Sequence, residues 1–179
     1  MRSLESIIEK LNRAQGEMLS AADGVPADQW KTRPAEGRWS AGELVAHVGK
    51  VERSVLGQAD KLLQDAPRRV PFYKRFHFPL KLVESRMLRR RSPRAMEPQN
   101  VGDKEIMLAD LREARERTLA FIEETRDRDL SRYTASHHFL GTMNAYEWLQ
   151  FIAAHEIRHA KQMREIATAL PKIVTTSQK

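Results

Sequence analysis

The sequence contains no cysteine. Disulfide bonds, thiolate metal sites and a nucleophilic thiol supplied by the protein itself are therefore excluded. The sequence also has no apolar run long enough to cross a membrane. Its first residues, MRSLESIIEKLNRAQ, lack the continuous apolar core of a signal peptide. These absences predict a soluble protein that is located in the cytoplasm.

Acidic residues are scarce in one segment. The whole chain has 31 Lys and Arg against 24 Asp and Glu, a net charge of +7. Between Arg68 and Arg94, ten basic residues accompany a single acidic one, Glu84, and aromatic residues are interleaved with them. Such a composition is used to bind nucleic-acid backbones or anionic membrane surfaces. It is also expected of a solvated cover whose aromatic side chains pack on the rest of the protein.

Four segments have the periodicity of amphipathic helices. They run over about 4–22, from residue 40 into the sixties, over about 103–125, and from 144 to 170. Ser40 and Asn144 each begin a capping box, with glutamate three residues later. Pro171 ends the last helix. The apolar stripe of the third helix consists of Ile106, Leu108, Leu111, Leu119 and Ile122.

No alternating strand pattern of useful length is present. Four helices with one apolar stripe each predict an all-α fold, a four-helix bundle formed as one domain over residues 1–179. The connection over about 66–102 is too long for a hairpin loop and predicts a basic crossover between the second and third helices. The stretch PLKLVESRMLRRR within it could form a short extra helix, and the tail after residue 171 is expected to be frayed.

Two histidines, His155 and His159, are four residues apart and so share one helix face. Both belong to the apolar stripe of the last helix, and His47 has a matching inward position on the second helix. Three buried imidazoles need partners for their nitrogens. One divalent ion would satisfy all three and keep a coordination position open, as catalytic sites do. The alternative is a scaffold without catalysis, in which these histidines are hydrogen-bonded core residues.

The stretch HEIRH also matches the zinc-protease pattern H-E-x-x-H. That pattern needs a third ligand farther along the chain, and no histidine follows His159. The acidic residue downstream, Glu165, lies about 240° around the helix from His159. We therefore reject a protease. Glu156 is expected to be solvated or to pair with an arginine, and an outer-shell or base role for it stays open.

Other polar residues near these helices carry weaker signals. His137 and His138 precede the last helix and are expected at the surface, although His138 could approach the end of the bundle. His77 is expected to pack within the crossover. Arg158 and Lys161 flank the histidine face, where they would either be solvated or bind an anionic group of a substrate.

Two stretches resemble a known family. RWSAGELVAHVGKVE, residues 38–52, has a histidine eight positions after Trp39 and resembles the first metal-ligand segment of the DinB/YfiT-like superfamily. HHFLGTMNAYEWLQFIAAHEIRHAKQMREI, residues 137–166, resembles the final helix of that family with its H-x-x-x-H pair. The resemblance implies a four-helix bundle with a long crossover, in which His47, His155 and His159 bind a divalent ion.

The same resemblance implies a metal-dependent enzyme that acts on a small molecule, either as a hydrolase or as a transferase of a low-molecular-weight thiol. Zinc, nickel, iron and manganese are the candidate ions, and a homodimer is expected. The ion would lower the pKa of a bound water or thiol. Because the chain has no cysteine, a thiol would have to come from a cosubstrate. The arginine-rich crossover departs from the usual family pattern. It is the basis of an alternative, non-enzymatic function, in which residues 68–94 bind nucleic acid or another anionic partner.

Overall fold

The computed structural model describes residues 4–64, 80–85, 96–137 and 139–171. Within these residues the elements are, in chain order, helices α1 (Leu4–Asp23), α2 (Ala41–Gln64), α3 (Leu80–Val83) and α4 (Lys104–Glu124), strands β1 (Thr134–His137) and β2 (Gly141–Asn144), and helix α5 (Ala145–Ala169). The all-α fold class is confirmed, and the four predicted helices correspond to α1, α2, α4 and α5. Most of the arginine-rich segment, and the tail after residue 171, lie outside the described residues.

The four long helices pack as a bundle. Helices α4 and α5 each pack against both α1 and α2, and the short helix α3, which belongs to the crossover between α2 and α4, packs against α5. The predicted extra helix is thus one turn long in the part of the crossover that is described. None of the described helices combines the length and the apolar character needed to cross a membrane.

Both predicted capping boxes are present. In the first, the Ser40 amide donates to Glu43 Oε2 at 2.8 Å and the Glu43 amide donates to Ser40 Oγ at 3.1 Å. In the second, the Asn144 amide donates to Glu147 Oε2 at 2.8 Å and the Glu147 amide donates to Asn144 Oδ1 at 3.1 Å. These bonds satisfy amides that have no partner within a helix, so they define where α2 and α5 begin.

The apolar stripe of α4 differs from its prediction at one position. Ile106 is 64% exposed, whereas Met107 and Leu111 are buried. At about 100° per residue, Ile106 lies about 140° from Leu111 around the helix, but Met107 lies only about 40° from it. The true inward face continues through Arg115 and Thr118, two polar residues that the apolar pattern did not include.

A two-stranded antiparallel sheet precedes α5, and the sequence pattern did not predict it. Strand β1 pairs with β2 from Thr134 opposite Asn144 to His137 opposite Gly141. Gly141 has a φ of 82°, a left-handed conformation that glycine adopts readily at the end of a short hairpin loop. The Ala145 amide donates to the Tyr133 carbonyl oxygen at 2.9 Å, which ties the start of α5 to the sheet.

The core is divided by polar side chains. One apolar cluster includes Leu11, Val55, Ile122 and Leu149, and the other includes Met18, Trp30, Leu44, Leu108 and Met163. Along each long helix, the residues of one cluster precede those of the other. Seven polar residues occupy the boundary and are called the polar layer below: His47, Glu52, Arg115, Thr118, His155, Glu156 and His159.

Candidate functional site

His47 enters the polar layer from α2. Its residue exposure is 4%, and the ring of Trp39 packs against it with the ring centroids 4.9 Å apart. Its Nδ1 lies 2.7 Å from the carbonyl oxygen of Met96, at the end of the crossover. A carbonyl oxygen can only accept, so His47 carries its proton on Nδ1 and its Nε2 keeps a lone pair.

His155 and His159 enter the same layer from α5. Nδ1 of His159 lies 3.1 Å from Oε1 of Gln162, one turn farther along the helix. With the amide oxygen as acceptor, His159 also carries its proton on Nδ1 and directs the lone pair of Nε2 away from Gln162. His159 is buried, whereas His155 keeps partial contact with solvent.

The three imidazoles converge through their Nε2 atoms. Nε2 of His155 lies 3.2 Å from Nε2 of His47 and 3.1 Å from Nε2 of His159. One ligand atom from each of the three residues lies within 4.8 Å of the other two. The structure therefore brings together the three histidines that the sequence singled out.

This donor set fits a metal ion. Two nitrogens that are each about 2.1 Å from a tetrahedral zinc ion lie about 3.4 Å apart, close to the separations seen here. If His155 carried a proton on Nε2, that proton could form a hydrogen bond with Nε2 of His47 or of His159, but not with both. One cation, in contrast, accepts the lone pairs of all three nitrogens. The cluster could therefore hold a divalent ion with three neutral imidazoles.

The protein environment favours the neutral form of the imidazoles. Burial lowers the pKa of His47, and the nearby Lys50 acts in the same direction, although the bond to the Met96 carbonyl partly opposes them. Burial lowers the pKa of His155 well below its usual value, helped by the charges of His159, His47 and Arg158. Neutral imidazole is the form that binds metals, so fewer protons compete with a cation at this site near neutral pH.

Glu156, the acid of the H-E-x-x-H match, binds Arg115 and is not part of the cluster of metal donors found among the described residues. It is 0% exposed, and its Oε2 accepts a bond of 2.6 Å from Nη2 of Arg115. Its Oε1 is buried and has no hydrogen-bond partner among the described residues. The expectation of an arginine partner is confirmed, and that of solvation is wrong. Glu165, the acid excluded as a ligand, contacts Arg38 at 3.6 Å on the surface.

Two basic residues of α5 hold the crossover. Arg158 donates to the carbonyl oxygen of Ser85, and Lys161 Nζ donates to the carbonyl oxygen of Glu84 at 3.1 Å. Lys10 of α1 contacts the Glu84 carboxylate at 2.7 Å. Arg158 and Lys161 therefore bind main-chain oxygens after α3, a role that the sequence did not predict. Lys161 is exposed, as the expectation of a solvated residue had it, and Arg158 is partly buried.

His137 is a structural part of the hairpin. Its Nδ1 accepts from the amides of Phe139 and Leu140 at 3.1 and 3.2 Å, which closes the loop between the strands. Its ring packs on Phe151 and Trp148, with ring centroids 5.0 and 5.3 Å away. His137 is partly buried and is the last residue of strand β1, whereas a surface loop was expected. His138 and His77 lie outside the described residues.

Sequence reasoning missed Gln162 and Met96, which orient two of the histidines, and the buried Arg115 that pairs with Glu156. Gln162 follows His159 by three residues and so lies on the same helix face, a signal that was available. Met96 contributes a main-chain oxygen, so the sequence has no signal for it. Arg115 was missed because a charged residue on a helix is usually read as solvated.

Comparisons with known proteins agree with this architecture. A family model described as the DinB superfamily matches residues 10–163, a range that contains all three histidines. The chain is similar to "Uncharacterized protein YuaE" of Bacillus subtilis (strain 168), with 26% identity over 157 residues that cover 87% of this chain and 93% of the relative. No solved structure matches the chain. Because the family match extends over most of the sequence, from α1 into α5, this protein belongs to the DinB superfamily.

Proposed function

We propose that this protein is a metal-dependent enzyme that acts on a small molecule, and that His47, His155 and His159 bind its single divalent cation. The observation that carries the proposal is the convergence of the three imidazoles, which each place one ligand nitrogen within 4.8 Å of the other two. Membership of the DinB superfamily supports it. The reaction would be a hydrolysis or the transfer of a low-molecular-weight thiol.

In this proposal, residues around the cluster orient the metal ligands and one ligand marks the side on which the substrate approaches. Met96 and Gln162 hold the protons of His47 and His159 on Nδ1 and leave both Nε2 atoms as donors. A divalent cation bound there would lower the pKa of a water or thiol and provide a nucleophile near neutral pH. Among the described residues of the cluster, His155 is the one with partial exposure, so we place the approach of a small molecule on its side.

Several expectations stay predictions. The identity of the cation among zinc, nickel, iron and manganese, the use of a thiol cosubstrate, the homodimer and the cytoplasmic location follow from the family resemblance and the composition. The alternative function, binding of nucleic acid or another anionic partner by residues 68–94, depends on residues that are mostly outside the described part of the chain.

Metal binding is tested first on protein that is purified without a histidine tag. Metal analysis should find about one divalent ion per chain, and calorimetric titration of the chelator-treated protein should give one site. His47→Ala should weaken binding by at least about tenfold, because only two of three ligands remain. The matched control is His137→Asn, whose side-chain oxygen can still accept from the hairpin amides. Unchanged affinity in His47→Ala would refute the proposed ligand set.

The nature of the nucleophile is tested with two electrophilic probes. Hydrolysis of p-nitrophenyl acetate by the metal-loaded protein reports on activated water, and cysteine-dependent consumption of monobromobimane reports on an activated thiol. We expect one of these rates to exceed that of His155→Ala, which lacks a ligand. If the parent and His155→Ala are equal in both assays across the candidate metals, the site is not catalytic towards these reaction classes.

A further inference from the structure

A buried ion cluster connects all four long helices in the polar layer. Arg115 of α4 donates from Nε to Glu52 Oε1 at 2.8 Å and from Nη2 to Glu52 Oε2 at 3.1 Å. The same Nη2 donates to Glu156 Oε2 at 2.6 Å, and Nη1 donates to the Leu11 carbonyl oxygen of α1. Thr118 adds a bond of 2.8 Å to Glu52 Oε1. One guanidinium thus contacts groups from α1, α2 and α5.

Stability alone does not account for this cluster. Arg115 and Glu52 are each 1% exposed and Glu156 is 0% exposed, so all three lose nearly all of their hydration. Apolar side chains of similar volume often give equal or greater stability at such positions. What the ions add is direction, because the planar guanidinium fixes both the distance and the angle of its carboxylate partners. The cluster therefore specifies how the helices lie relative to one another.

The two helices that carry the carboxylates also carry the three histidines. Glu52 follows His47 by five residues, about 7.5 Å along the axis of α2. Glu156 directly follows His155 and precedes His159 by three residues. Arg115 bonds to both carboxylates and so bridges α2 and α5. On each of these helices, the carboxylate lies within about two turns of the histidines. The other contacts in the core between these helices are largely apolar, and apolar packing has no preferred direction.

We propose that Glu52, Arg115 and Glu156 are positioning residues that hold α2 and α5 at the separation where Nε2 of His47 meets Nε2 of His155. This inference rests on the proposed metal site. A cation with three imidazole ligands needs their nitrogens within narrow distances, and a relative shift of the two helices would change those distances directly. Loss of outer-shell groups that bond directly to metal ligands typically weakens metal affinity about 10–100-fold, and supports that act through the helices should have an effect near the lower end of that range.

The test uses Co²⁺, whose visible ligand-field absorption reports on coordination geometry. A triple variant, with Glu52→Met, Arg115→Met and Glu156→Met, replaces the charged side chains by apolar ones. In this variant Thr118 keeps its second bond, to the Ala114 carbonyl oxygen at 3.1 Å. We expect this variant to be folded, with the Kd for Co²⁺ raised about tenfold or more and with an altered absorption spectrum. The second variant is Arg115→Lys, which keeps the positive charge but loses the planar guanidinium that binds two carboxylates. It should also raise the Kd for Co²⁺ and alter the absorption spectrum.

Ile122→Val is the matched control, because it removes a methylene group from the core of α4 without touching the polar layer. It should leave the affinity and the spectrum of Co²⁺ unchanged. A folded triple variant or a folded Arg115→Lys with parental affinity and spectrum would overturn the positioning role, and so would an equal loss of affinity in Ile122→Val. If the parent itself does not bind Co²⁺ or any other candidate metal, the proposed metal site is wrong, which is a separate result.

Discussion

Nε2 of His47 lies 3.2 Å from Nε2 of His155, although 108 positions separate the two residues in the sequence. The bundle produces this contact by packing α2 against α5. Nδ1 of His47 is engaged by a main-chain oxygen, so its lone pair is directed at the partner imidazole. The folded protein therefore presents metal donors that an unfolded chain would not bring together, and this difference has measurable consequences.

Metal should stabilise the folded protein. A cation that binds the folded state and not the unfolded one raises the free energy of unfolding by about 2.7 kcal/mol when its free concentration is 100 times Kd. Urea unfolding of the chelator-treated protein with and without Zn²⁺ measures this gain. His159→Ala should lose most of the gain while it remains folded without metal. An equal gain in the parent and in His159→Ala would show that the ion binds elsewhere.

The metal-free protein should become less stable relative to His155→Asn as the pH falls from about 7 to about 5. Burial and the neighbouring histidines lower the pKa of His155 in the folded state, whereas the unfolded value is about 6.5. Below that value the unfolded chain binds more protons than the folded one, so acid favours unfolding. The measurement is the free energy of unfolding of both proteins in chelator at several pH values. A difference that is independent of pH would contradict the lowered pKa.

Glu156→Gln should show the opposite dependence. Burial raises the pKa of Glu156 to about 7, and the charge of Glu52 acts in the same direction, while Arg115 opposes them. From about pH 4.5 to 7 the folded parent holds a proton that the unfolded chain has lost, so the parent loses stability as the pH rises. The variant has no charge to bury. Its stability relative to the parent should therefore increase between pH 5 and 8, by at most about 3 kcal/mol.

The control for this experiment is Glu123→Gln, at an exposed carboxylate of α4 that pairs with Arg126 on the surface. Its stability relative to the parent should change little over the same pH range. If Glu156→Gln and Glu123→Gln behave alike in urea unfolding, the carboxyl group of Glu156 is ionised in the folded protein at neutral pH without penalty.

Gly42→Ala should destabilise the protein by about 1–3 kcal/mol through overpacking. A Cβ atom at this position would overlap Val101 Cγ1 and lie 2.8 Å from Trp30 Nε1, and both side chains are packed in place. At Gly57 of the same helix, an added Cβ atom would have no neighbouring atom within 4 Å, so Gly57→Ala should instead stabilise α2 by about 0.5–1 kcal/mol. Thermal unfolding of the two variants should therefore shift in opposite directions.

The helices and the three histidines were predictable because each depends on local rules. Ser40 with Glu43, and Asn144 with Glu147, marked two helix starts. The apolar residues of α2 recur at helical spacing around His47, which shows that His47 lies on the buried face. These features repeat at the spacing of the helix itself, so a single sequence is sufficient to recognise them.

The hairpin and the ion cluster were not predictable in the same way. Strands β1 and β2 have four residues each, and TASH and GTMN contain one apolar side chain each, which is too short a pattern to identify a strand. Their pairing depends on closure of the loop by His137 and Gly141. The buried position of Arg115 depends on two carboxylates that are distant in the sequence, Glu52 and Glu156. The burial of Arg115 can therefore be recognised only from the packed helices, and not from the sequence of α4 alone.

The bond between His47 and Met96 has a consequence for mutagenesis. Its acceptor is a peptide oxygen, which every amino acid provides, so replacing the side chain at position 96 leaves the acceptor in place. A scan of single substitutions would therefore miss the contact. Inserting or deleting one residue between Met96 and the start of α4 would displace that oxygen, and the tautomer of His47 would lose its determinant. The number of residues in this segment, rather than their identity, therefore determines where the Met96 carbonyl oxygen lies.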